Sequence, residues 1–143
     1  MKEITINAAA EEYAFKDENG KLLFTLTFYP SDVGILNRYE TLVSALNDIE
    51  VKNIDENSPI QEVAALLKTA EESIAEHIDR FFNAQMAKQI FAVMSPFTPL
   101  NNGKLYVEEV MDRIGTIIES ELKVRTTRMK LRMQKYTGKY TNG

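Results

Sequence analysis

SPIQEVAALLKTAEESIAEHIDRFFNAQMAKQIFAVM, residues 58–94, decides the fold of this 143-residue chain. Its apolar residues Ile60, Val63, Leu67, Ala70, Ile74, Ile78 and Phe81 recur at intervals of three and four, which lines one face of a helix and does not fit the alternation of a strand. A start signal precedes them. Ser58 can accept a bond from the amide of Gln61, Gln61 can reach back to Ser58, and Pro59 suits the first helical position. The helix is expected to weaken at Asn83, after Phe81 and Phe82, with a short continuation holding Met86, Ile90, Phe91 and Met94. Pro96 and Pro99 then end it, since each lacks an amide hydrogen and restricts the residue before it.

Working outward, a last helix is predicted from about Leu105, with Val107, Val110, Met111, Ile114, Ile117, Ile118 and Leu122 on one side. Gly115 is a local weakness there, costing on the order of 1 kcal/mol against alanine. Whether the helix continues through residues 125–134 stays open, because only Leu131 and Met133 extend its apolar face. On the other side, residues 50–57 read as a polar linker between antiparallel helices. Before it, Ile35, Tyr39, Leu42, Leu46 and Ile49 form a stripe on a helix that Pro30, Ser31 and Asp32 introduce. Still earlier, Tyr13 and Phe15 alternate, Asp17-Glu18-Asn19-Gly20 supplies a turn, and Phe24, Leu26 and Phe28 face one way with Thr25 and Thr27 the other. That is a hairpin. Ile4 and Ile6 make residues 2–6 a candidate third strand.

The fold class is therefore α+β and predominantly helical: an N-terminal β-hairpin region over residues 1–29, then a bundle of about four helices over 30–122. Residues 123–143 stand apart by charge. They hold seven of the 17 lysines and arginines and none of the 21 acidic residues, so the rest of the chain carries ten basic against 21 acidic side chains, −11 against +7. An acidic body with a basic tail points to an acidic partner for the tail. The chain has no cysteine, which excludes disulfides, thiol nucleophiles and cysteine metal ligands. No apolar run approaches the roughly 20 residues that span a bilayer, and residues 1–13 do not resemble a signal or transit peptide, so a cytoplasmic protein is expected.

No catalytic, cofactor or metal constellation is predicted. His77 is the sole histidine, and its acidic neighbours Glu76 and Asp79 are not spaced to share its helix face. The pairs Glu72/Glu76 and Glu108/Asp112 sit one turn apart but lack an accompanying histidine or oxygen-ligand loop. Both Asn-Gly-Lys triplets lack the spacing of phosphate-binding loops and read as turns. Met86, Met94 and Met111 and the phenylalanines at 81, 82, 91 and 97 are assigned to the core. The candidate partner-binding residues are Arg125, Arg128, Met129, Lys130, Arg132, Met133, Lys135, Tyr136, Lys139 and Tyr140. They suit contact with a protein or with phosphates and bases, or they simply form a solvated helix end whose cations complement the helix dipole. Self-association is also expected, from the hairpin's open edges and the number of apolar helix faces.

Four stretches carry a family resemblance: FTLTFYPSDVGILNRYE at 24–40, AEESIAEHIDRFFN at 70–83, FAVMSPFTPLNNGKLYVEEVMDRI at 91–114 and KYTGKY at 135–140. Together they resemble small phage and prophage proteins similar to the tail assembly chaperones of long-tailed bacteriophages. The resemblance implies a mostly helical, non-enzymatic protein of the bacterial host cytoplasm, which coats the tape measure protein, helps recruit tail tube protein and is absent from the mature virion. It assigns no residue-level site. Two other classes remain: a phage-encoded module acting on or sensed by a host protein, and nucleic-acid binding through the basic tail. The acidic body, which opposes the approach of phosphates, disfavours the last.

Overall fold

The computed structural model describes residues 1–49 and 56–141, with side chains described as far as residue 135. Two strands, β1 (Glu11–Lys16) and β2 (Leu22–Phe28), form an antiparallel hairpin with Tyr13 opposite Leu26 and Phe15 opposite Phe24. The turn works as its sequence suggests. Asp17 Oδ1 accepts the amides of Asn19 and Lys21, both at 2.9 Å, and Gly20 takes the positive φ of 82° that a side chain would resist. Phe24, Leu26 and Phe28 are buried, so the alternation assigns the inner face of β2 correctly. The candidate third strand does not form: residues 1–10 lie outside any strand, and Ile4 and Ile6 are 89% and 81% exposed. Alternation shows that a segment suits a sheet edge, not that an edge receives it.

Four helices follow: α1 (Ile35–Asp48), α2 (Ile60–Phe82), α3 (Ala87–Phe91) and α4 (Tyr106–Thr141). α1 starts later than Asp32 because Asp32 Oδ1 accepts the amide of Gly34 at 2.9 Å, making a local turn, while its other oxygen pairs with Arg38 at 3.0 Å. That guanidinium, followed by the Gly34 amide, holds the Asp32 carboxyl below its ordinary pKa. α2 opens from Pro59 with no side-chain cap at that position, so the helix begins two residues beyond Ser58. The expected linker falls largely on residues 50–55, outside those described.

Asn83 ends α2, adopting the left-handed conformation (φ 54°, ψ 38°) that asparagine tolerates better than most residues. One turn earlier, Asp79 Oδ1 accepts the amides of Met86 at 2.9 Å and Ala87 at 2.8 Å, satisfying donors at the start of α3. The core gathers Leu26 and Phe28 of β2, Ile35 and Leu42 of α1, Ile74, Ile78 and Phe81 of α2, Ile90 of α3, and Val107, Val110, Ile114 and Ile118 of α4. An aromatic chain ties the elements together. Tyr39 meets Phe81, Phe81 meets Phe82, Phe82 meets Phe28, and Phe28 meets Tyr13, with centroids 4.8–6.2 Å apart.

Tyr106 fastens α4 to α3. It is buried, and its hydroxyl donates to the Ile90 carbonyl at 2.8 Å, while burial pushes its pKa up to about 12. Tyr106→Phe leaves that carbonyl without its donor and is expected to cost about 1–2 kcal/mol in urea denaturation at neutral pH. The pH dependence has a definite sign. An unfolded tyrosine ionises near pH 10, so this stabilisation is complete below about 10 and lost as pH rises towards the folded value. The parent's advantage over Tyr106→Phe should therefore shrink above pH 10; an advantage constant to pH 12 would contradict the assignment.

Candidate functional site

The question left open at residue 125 is answered by α4, which runs to Thr141 without a break. Its 36 residues give a length of about 54 Å. As far as Ile118 the helix is core; beyond Leu122 it leaves the body, and residues 127–135 are all exposed. Helical geometry sorts the tail's residues. Leu122, Met129 and Met133 continue the line of the buried Met111 and Ile118 as an apolar seam. Arg125, Arg128, Arg132 and Lys135, spaced three, four and three, form a basic rail on one side of that seam, and Lys123 and Lys130 flank the other. Seven of the ten candidate residues are thus brought onto one helix, Lys130 across the seam from the main rail. The other three, Tyr136, Lys139 and Tyr140, lie on the same helix backbone with side chains outside those described.

Two ion pairs brace the first turns of the extension. Glu119 pairs with Lys123 at 3.5 Å and Glu121 with Arg125 at 3.6 Å, and beyond these the tail contains no acidic residue. Arg128 and Arg132 are like charges one turn apart, a spacing that costs roughly 0.2–0.5 kcal/mol. A helix without a packed face is marginal in water, so a partner that covers the seam and neutralises the rail would stabilise it.

Where α4 leaves the body it borders a groove of about 1150 Å³, whose apolar wall includes Val33, Leu36, Tyr39, Leu122 and Met129. Val33 and Leu36 are half exposed. Sequence reasoning missed them because they lie off the buried stripe of α1; two apolar residues flanking Gly34 and Ile35 were the available signal. Lys104 Nζ donates to Asp112 Oδ2 at 2.6 Å on the groove's rim, a bond that raises the lysine's pKa. Burial, and then the Asp112 charge, raises the pKa of Tyr39.

Three of the four residues in the acidic pairs singled out in the sequence have local partners. Glu76 pairs with Arg80, Asp112 with Lys104, and Glu108 accepts the Leu105 amide at 3.0 Å. Among the described residues no three His, Asp or Glu side chains gather where they could hold a metal ion. His77 is half buried on α2. No described helix is long and apolar enough to cross a membrane. The arrangement is an apolar seam between basic flanks, a surface complementary in chemistry to apolar and acidic groups. No protein-family model, curated protein or solved structure matches the chain.

Proposed function

We propose that this chain is a non-enzymatic tail assembly chaperone of a long-tailed phage, which binds the tape measure protein in the bacterial host cytoplasm and assists recruitment of tail tube protein. The observation that carries this reading is the α4 extension, an apolar seam between basic flanks on a helix that outruns its own core. A long helical client with acidic and apolar faces would lie along that seam and enter the groove beside Val33 and Leu36. The sequence resemblance supplies the identity of the client.

Reversing Arg125, Arg128 and Arg132 to Glu should abolish co-purification with the co-expressed tape measure protein while the circular dichroism spectrum stays unchanged, since these side chains are at the surface. Retention of the client by the reversed variant would refute the tail as its binding site. A submicromolar complex with DNA or RNA whose affinity falls steeply with salt would instead favour nucleic acid, because each neutralised phosphate releases counterion.

A further inference from the structure

The Asn-Gly-Lys triplets at residues 19–21 and 102–104 fold into the same turn. In the hairpin the Asp17 amide donates to the Lys21 carbonyl at 2.9 Å and the Gly20 amide to the Asp17 carbonyl at 3.0 Å. Before α4 the Leu100 amide donates to the Lys104 carbonyl at 2.8 Å and the Gly103 amide to the Leu100 carbonyl at 3.0 Å. Both glycines are left-handed, with φ 82° and 85°. Both triplets are exposed, and a Cβ at either glycine would meet nothing within 4 Å.

What differs is the hold on each asparagine side chain. Asn102 Nδ2 donates to Glu109 Oε2 at 3.1 Å and its Oδ1 accepts the Lys104 amide at 3.0 Å, so both ends of the carboxamide are tied. At the hairpin the equivalent amide, that of Lys21, is taken by Asp17 Oδ1, which also accepts the amide of Asn19. The Asn19 side chain is left with no hydrogen bond among the described residues. An asparagine followed by glycine is chemically exposed, because no side chain shields the next amide nitrogen. Once that nitrogen gives its proton to a base in the solvent, it can attack the asparagine Cγ. The N–Cγ bond forms, the Cγ–Nδ2 bond breaks, and ammonia leaves with a proton taken from water. Water then opens the resulting cyclic imide at either carbonyl, giving aspartate or isoaspartate. The attack requires the side chain to turn Cγ onto the backbone, a rotation open to Asn19 and closed to Asn102 until its bonds break.

We propose that Asn19, at the tip of the β1–β2 hairpin, is a site of spontaneous deamidation, and that Glu109 and the Lys104 amide protect Asn102 from the same reaction. The product places a new carboxylate beside Asp17 and Glu18. As isoaspartate it also adds a backbone carbon to the turn that Asp17 closes on the amides of Asn19 and Lys21. The reaction consumes only water and a solvent base. It requires no client and stands apart from the chaperone reading.

Peptide mapping by mass spectrometry, on the purified full chain aged in mildly alkaline buffer, tests this. Cleavage after lysine and arginine puts Asn19 in residues 17–21, Asn102 in residues 89–104 and Asn142 in residues 140–143, so each is followed separately. In the folded protein Asn19 should convert at least about 10-fold faster than Asn102, whose two hydrogen bonds must break first. In urea the two rates should converge, because Gly-Lys follows both asparagines and the turns are gone. Glu109→Ala removes the acceptor of Asn102 Nδ2 and should speed conversion there about 3–10-fold while leaving Asn19 unchanged. Glu109→Gln keeps an acceptor oxygen and should keep Asn102 slow, which separates a lost bond from a loosened fold. Equal rates in the folded protein, a ratio that persists in urea, or an Asn102 that is no faster in Glu109→Ala would overturn the proposal. So would an Asn102 released equally by both substitutions.

Discussion

Phe81→Ala should lower stability by about 3–5 kcal/mol, the range for deleting a buried aromatic side chain whose surroundings relax only partly. Phe81 is 2% exposed at the penultimate position of α2. It packs edge-on against Phe82 at 4.8 Å and Tyr39 at 6.2 Å, so its removal breaks the aromatic chain between α1 and the hairpin. The loss is a large part of the 5–15 kcal/mol typical of a whole domain. Thermal and urea unfolding, followed by circular dichroism, should show the midpoint falling by about 10–20 °C. The control is Phe81→Leu, which keeps much of the volume and should recover at least half of the loss. A Phe81→Ala variant within about 1 kcal/mol of the parent would mean that the site collapses freely and that the aromatic chain does not join these elements.

Gly115→Val is expected to cost about 2–3 kcal/mol, and the reason is contact with another helix and not helix propensity. A Cβ at Gly115 would sit 2.5 Å from the Tyr39 hydroxyl oxygen and 3.0 Å from Cζ. Tyr39 is not free to swing away without loss, because its hydroxyl donates to the Met111 carbonyl at 3.3 Å and its ring packs on Phe81. Intrinsic propensity alone would make the substitution favourable by a few tenths of a kcal/mol. The test is a double-mutant cycle with Tyr39→Leu, which removes the ring atoms that clash. In that background the cost of Gly115→Val should fall below about 1 kcal/mol, a coupling near 2 kcal/mol. Equal costs in both backgrounds would show that the notch at Gly115 does not exist to seat Tyr39.

These two residues also mark what could be read at each level. From the sequence, Phe81 was assigned to the core and Gly115 only to a weak point in a helix. Both statements hold, yet only the crossing of α1 and α4 shows why a glycine belongs at 115. The same division runs through the molecule. Period and turn chemistry determined the hairpin with its inner face, the stripes of α1 and α4, the helix break near Asn83 and the charge split at residue 123. They did so because periodicity, capping and backbone restriction are local, and a helix or hairpin expresses them within a few residues. Tertiary structure decided what covers each apolar face: Ala70, Ile74, Ile78 and Phe81 are buried while Ile60, on the same stripe, is exposed, and Ile4 and Ile6 pair with no strand. It also carried α4 past the core as one continuous helix and opened the groove beside Val33 and Leu36. A pattern states which face seeks burial; which neighbour arrives depends on the packing of distant segments, and no local repeat encodes that.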